Sequence, residues 1–286
     1  MLLAVFIFST NDVLGKWLAG TYGAPQILLM RSAVAMAILV VIFSRIGFAP
    51  VFTMERPGLQ IVRAFLGAAE TGVFYAAVRY LPLADAMTFY LAGPIYVTIL
   101  AALFLRERVG WRRWSAVIAG FVGVVIALGP TAGSFGWATL IPLGGSIVYA
   151  VFLTVTRSLR GTSDTVMAFW QIAASLVLGG IAAPFTWTPA THAFDFLLLG
   201  LLGVGALVAI VGINRSLKLA PASVVVPYQY TMIIWAGLFG YFVFGDVPRW
   251  QTILGAAIII AAGLFIFFRE QKLARPTAQP ELPPEI

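Results

Sequence analysis

A handful of polar residues in apolar surroundings carry whatever chemistry this chain performs. The stretch "STNDVLGKW", residues 9–17, sets Asn11, Asp12 and Lys16 inside an apolar run from Leu2 to about Ala19, and Arg31 and Glu70 interrupt later runs. A charge at the centre of a membrane span costs about 2.5–3.5 kcal/mol on insertion scales, so each needs a partner, water or a task. Asp12 and Lys16, four residues apart, share one helical face. At ~1.5 Å per residue, Asp12 and Glu70 fall at similar depth, with Lys16 and Arg31 nearer the surface. Two acids and two bases, Asp12, Lys16, Arg31 and Glu70, form a neutral buried network. It reads either as a pin between the first three spans, with Lys16 and Arg31 snorkelling, or as groups that face a wet cavity and meet substrate or protons.

A second set surrounds broken helices. Gly93-Pro94 and Pro227 fall within long apolar runs. Each proline frees the carbonyl four residues back, at Tyr90 and Ser223, which must face protein or water. Helical spacing puts Met87, Tyr90 and Pro94 on one face, and Ser223, Pro227 and Tyr230 on another, with Tyr228 and Gln229 beside it. Tyr149, Trp170 and Gln171 add to the set. Together with Asn11, Lys16 and Glu70 they are the candidate substrate-binding residues, suited to a small amphipathic solute. Each aromatic also admits a packing role. Trp17, Trp137, Trp187 and Trp250, near span ends, read as an interfacial belt.

The elements that position these residues follow from composition. The chain is 61% hydrophobic and 10% charged, against about 25% charged in soluble domains. Apolar runs near the ~20 residues that a bilayer needs lie roughly at 2–19, 26–44, 58–78, 83–104, 113–129, 135–156, 165–184, 194–214, 221–244 and 250–268. The expected fold is an all-α polytopic membrane protein with ten transmembrane helices. The first run lacks a basic leader and a cleavage site and is read as retained. With the N-terminus in the cytoplasm, all but Lys16, Arg31, Arg79 and Arg249 of the 18 basic residues lie on the cytoplasmic side, as the positive-inside rule requires. Both termini are then cytoplasmic, and the net charge of +7 has a topological origin, with no nucleic acid implied.

Residues 79–128 and 218–267 share an order: a proline entry, a long apolar helix, an acid, a tryptophan, a last helix. Pro82 meets Pro221, Glu107 meets Asp246 and Trp111 meets Trp250. Five spans per half is an odd number, so the second half inserts the other way up, an inverted repeat around a central cavity. The expected units are 1–129, 130–270 and a disordered cytoplasmic tail, 271–286. Val151, Thr156, Gln171 and Ala209 occupy the second-half depths of the four charges, which points to a task performed once.

The ten runs in two halves, Arg31 early in the second, and the endings "LRERVGW" and "FGDVPRW" resemble the EamA type of the drug/metabolite transporter (DMT) superfamily over about residues 1–270. Overall similarity leans towards its aromatic amino acid exporters. The resemblance implies a basket of helices opened alternately to each side, with the fifth and tenth helices peripheral. It implies a multi-pass protein of the bacterial inner membrane that exports small amphipathic metabolites, amino acids first among them. Efflux of cationic drugs is the alternative, disfavoured if Lys16 and Arg31 both face the cavity. No HExxH, GxSxG or P-loop pattern is present, and the single histidine, His192, lies in a loop, so neither an enzyme nor an ATP-driven pump is expected. A channel remains a further class. The expected partners are a small-molecule substrate and the lipid bilayer, the expected state is a monomer, and no cofactor or metal is expected.

Overall fold

The computed structural model describes residues 1–54, 56–104, 110–128, 137–159, 161–189, 193–219 and 226–274. Among these the chain is helical, with no strand: α1 (Leu2–Ala19), α2 (Ala24–Ile46), a short α3 (Ala49–Phe52), α4 (Pro57–Tyr80), α5 (Leu83–Leu91), α6 (Gly93–Phe104), α7 (Trp111–Leu128), α8 (Trp137–Arg157), α9 (Asp164–Ala182) and α10 (Ala193–Leu219). A 3-10 segment, Val226–Thr231, leads into α11 (Met232–Phe244), and α12 (Trp250–Ala274) follows.

Among the described residues, seven helices are long and apolar enough to cross a membrane: α1, α2, α4, α8, α9, α10 and α12. Trp114–Ala127 and Gln229–Phe244 are shorter apolar helices. The expected single span 83–104 is two helices, broken at Ala92, whose carbonyl already accepts from Ile95 and Tyr96 of the next helix. Pro94 sits in the first turn of α6, where a missing N–H costs least. Pro227 lies in the 3-10 segment, and regular α-helix begins only at Met232. The last helix runs to Ala274, four residues into the stretch expected as a disordered tail; residues 275–286 lie outside the described residues.

Local signals set the other boundaries. Pro25 and Pro57 stand in the first turns of α2 and α4, where φ is already helical. Gly245 adopts φ 70° and ends α11; its N–H reaches Tyr241 and that of Asp246 reaches Gly240. Such a left-handed cap suits glycine, and it carries Asp246 back over the helix end.

The helices pack in recurring pairs: α4 with α8 and α9, α1 with α10 and α11, α2 with α9 and α10, α5 with α8, α11 and α12, and α7 with α12. A Cβ at Gly255 would lie 2.6 Å from the Gly123 carbonyl oxygen, so α7 and α12 meet backbone to backbone, as small residues permit between membrane helices. Trp17, Trp137, Trp187 and Trp250 are all exposed, as an interfacial belt requires.

Candidate functional site

α1 carries Asn11 and Asp12 to the middle of the bundle, where both are about 95% buried. Arg31 of α2 donates to the Tyr75 hydroxyl of α4, and its guanidinium carbon lies 5.4 Å from that ring's centroid. Glu70, one helical turn before Phe74, accepts from the Thr71 hydroxyl at 3.3 Å. The charges of Asp12, Arg31 and Glu70 act on one another and on Tyr75. The field of Glu70 also reaches Tyr90 and Tyr149.

The aromatic wall stands beside this group. Tyr90 meets Phe74 edge to face at 5.5 Å, and its ring lies 6.0 Å from Tyr149, which stacks on Phe152 at 6.4 Å. Arg31, Ser32, Thr71, Gln171 and Ser175 face Ala206 and Leu207 around a hollow of about 20 Å³, room for roughly one water. Seven expected residues thus converge: Asn11, Asp12, Arg31, Glu70, Tyr90, Tyr149 and Gln171.

Four others go elsewhere. Lys16 leaves the buried network and pairs with Asp246, its ammonium 4.5 Å from the Phe244 ring centroid. The Gly245 cap brings that carboxylate within reach of a side chain one turn past Asp12. Met87 is 5% exposed and packs in an apolar core with Leu18, Tyr22, Phe74 and Leu83; its face of α5 turns inward to α1 and α4. Trp170 donates its indole N–H to the Val51 carbonyl at 3.0 Å, which ties α9 to α3. Tyr230 is buried with Ile259 and Ala262, and its hydroxyl meets the space above Gly263 of α12. Gln229 is half-buried, while the side chains of Pro94, Pro227 and Tyr228 lie outside the described residues.

Reasoning from sequence missed the bonds that close the ends. At the end formed by the α1–α2 turn, Lys16 pairs with Asp246. Tyr22 donates to Asp195 at 2.5 Å, and Gln26 exchanges hydrogen bonds with the backbone of Thr188 at 2.7 and 2.9 Å. Asp85 accepts from Arg249 at 3.1 Å and from the Thr252 hydroxyl at 2.6 Å. All four links join residues before 130 to residues after it. Towards the other end, Arg63 is 94% buried and donates to the Thr156 hydroxyl at 2.9 Å and the Met167 carbonyl at 3.2 Å. From sequence alone Arg63 reads only as one of the cytoplasmic-side basic residues. Tyr75 was also missed, since its spacing from Glu70 puts it on no shared helical face.

A profile of the EamA-like transporter family matches the chain in two stretches, residues 1–129 and 136–268. A riboflavin transporter of Rhizobium johnstonii is 30% identical, over 97% of this chain and 93% of its own length. An S-adenosylmethionine uptake transporter of Rickettsia bellii is 28% identical, over 95% and 93%. The pseudopaline exporter CntI of Pseudomonas aeruginosa is 27% identical, over 91% and 92%. A protein of known crystal structure, 15% identical, superposes with a TM-score of 0.61 over 95% of this chain and 99% of its own. By their names the riboflavin, S-adenosylmethionine and pseudopaline proteins are small-molecule transporters and not enzymes, and none of the three is an aromatic amino acid exporter, which corrects the narrower resemblance. With these matches spanning nearly all of its length, the chain belongs to the EamA-like transporter family.

Proposed function

We propose that the chain is a secondary transporter of the inner membrane that moves a small amphipathic organic solute by alternating access. Its ten crossings form two inverted repeats, 1–129 and 130–270, with both termini cytoplasmic. In this reading α5 with α6, α7, and the 3-10 segment with α11 complete the seven long helices. The helix pairing supports it. Exchanging the halves turns α4–α8 into α10–α1, α4–α9 into α10–α2, and α6–α8 into α11–α1; α2–α9 and α7–α12 map onto themselves. The two family matches, similar in length, support it as well.

The observation that carries the functional reading is the convergence of Asp12, Arg31 and Glu70 with Tyr90 and Tyr149 beside a hollow lined by both halves. Intramembrane charges facing a bundle interior mark solute paths in transporters. Aromatic faces suit the apolar body of the solute, and the charges suit its polar end.

The names of the relatives put riboflavin and S-adenosylmethionine first in a solute panel, with amino acids, the class expected from sequence, beside them. Flux into proteoliposomes should saturate for at least one member. Arg31→Lys, which loses the forked donor set, should lower that flux about tenfold or more without loss of protein from the membrane. Flux no greater than in protein-free vesicles across the panel would sink the reading. A second reading, efflux of organic cations, gains from one observation: Lys16 is turned to Asp246, so one of the two bases expected to repel a cation is absent from the site.

A further inference from the structure

The buried charges do not balance. With Lys16 engaged by Asp246, the central group holds two carboxylates, Asp12 and Glu70, against the single guanidinium of Arg31, whose hydrogen bond goes to the neutral Tyr75 hydroxyl. Among the described residues no ion pair joins Arg31 to either acid. Glu70 is half-buried and has the Thr71 hydroxyl. Asp12 is 4% exposed, and its Oδ2 has no hydrogen-bond partner; Asn11, 5% exposed, likewise leaves Oδ1 without one. A buried carboxylate lacking a partner is among the costliest arrangements a fold can hold. The second half of the chain carries no acid at the equivalent depth, so helix packing of this kind does not demand one.

We propose that Asp12, with the Asn11 side-chain oxygen beside it on α1, is the seat of a positively charged group that the transport cycle supplies. The inference rests on the transport reading and adds the sign of the charge and the residues that meet it. The shared chemistry is a cation small enough for a carboxylate and an amide oxygen: a metal cation, a proton, or the ammonium of the solute itself. The groups within electrostatic reach of Asp12 are Arg31 from α2, Glu70 and Tyr75 from α4, and Tyr90 from α5. Gly205 of α10 lies against the Asn11 side chain, and α11 contributes no charged residue. Arg31 limits the seat to one charge, since a second would face its guanidinium.

The test is a melting experiment on the purified full chain in detergent, read from its eight tryptophans. Sodium, ethylammonium and a change from pH 8 to pH 6 form three arms, each against N-methylglucamine chloride at equal ionic strength. Ligands that bind only the folded state raise its melting temperature. At least one arm should raise the wild-type midpoint by several degrees, and the arm that does so identifies the source of the cation. Asp12→Asn should be flat in that arm, and in N-methylglucamine should melt no lower than wild type, because it removes an uncompensated charge. Asn11→Ala, which keeps the charge, should weaken the response several-fold in apparent affinity. Wild type and Asp12→Asn shifting alike in all three arms, or Asp12→Asn melting lower without added cation, would overturn the proposal. The melts require no flux, so their failure leaves the transport reading standing, and failure of transport leaves the melts to be judged alone.

Discussion

Tyr90 of α5 packs into α8, and Tyr149 of α8 packs onto the start of α6. The Tyr90 hydroxyl occupies the space above Gly145 of α8, and the Tyr149 ring lies over Gly93, where a Cβ would come within 3.3 Å of it. The break between α5 and α6 is thereby held against α8, and both rings lie within the field of Glu70.

Filling these spaces should have unequal effects. Gly145→Ala puts a methyl where the Tyr90 hydroxyl stands, whereas Gly93→Ala asks the Tyr149 ring to yield by a few tenths of an ångström. Overpacking costs about 1–3 kcal/mol; Gly145→Ala should sit at the upper end and Gly93→Ala at or below the lower. Thermal unfolding in detergent measures both. The reverse ranking would mean that this packing is not what holds the two rings.

Lys16 and Asp246 should behave as one unit. Both are largely buried, with side-chain exposures of 12% and 26%. Removing one partner strands the other, at a cost of about 1–3 kcal/mol, between the exposed and fully buried limits. Lys16→Ala and Asp246→Asn should destabilise by similar amounts, and the exchange Lys16→Asp with Asp246→Lys should recover part of the loss. Additive losses in the double variant would show that the two are not coupled.

Asp85 satisfies two partners at once, Arg249 and Thr252. Asp85→Ala leaves a buried hydroxyl and a guanidinium without their acceptor and should cost about 2–4 kcal/mol. Thr252→Val removes only one neutral donor and should cost about 1 kcal/mol. Equal losses in the two melts would reduce Asp85 to a partner of Thr252 alone.

Tyr22 gives a pH signature outside the spans. Burial and the Asp195 carboxylate that it donates to push its hydroxyl from 10 up to about 12. The folded chain therefore holds the proton more tightly than the unfolded one. The associated stability is complete below pH 10 and is lost as pH rises through about 12. Melting midpoints of wild type should fall faster than those of Tyr22→Phe across that window, and parallel curves would remove the Tyr22–Asp195 bond from the account.

The sequence showed where apolar runs begin and end, because bilayer thickness acts on local composition. It showed the break at Gly93-Pro94 because proline acts on its own backbone. It also identified Asp12, Arg31 and Glu70 as unusual, since their cost depends on burial alone. Partner choice was harder to read. Lys16 shares a helical face with Asp12 and reads as part of the four-charge network, yet its partner is Asp246, 230 residues on, brought close by a glycine cap at the end of α11. Arg63 looked topogenic because its distance from a span end says nothing about which neighbour packs over it. Tyr230 shares periodicity with Ser223 and Pro227, and Trp170 is next to Gln171 in sequence, but the side of the bundle a helix face meets is decided by neighbours distant in sequence.

The central claim is that the hollow between the halves is reached in turn from both sides of the membrane. The chain contains no cysteine, so a single Ser175→Cys variant reports on one wall of that hollow. An impermeant maleimide is added to one side or the other of vesicles of known orientation, with and without a transported solute. The account predicts labelling from either side, slowed by the solute on both. Labelling from one side only, or from neither, would contradict it.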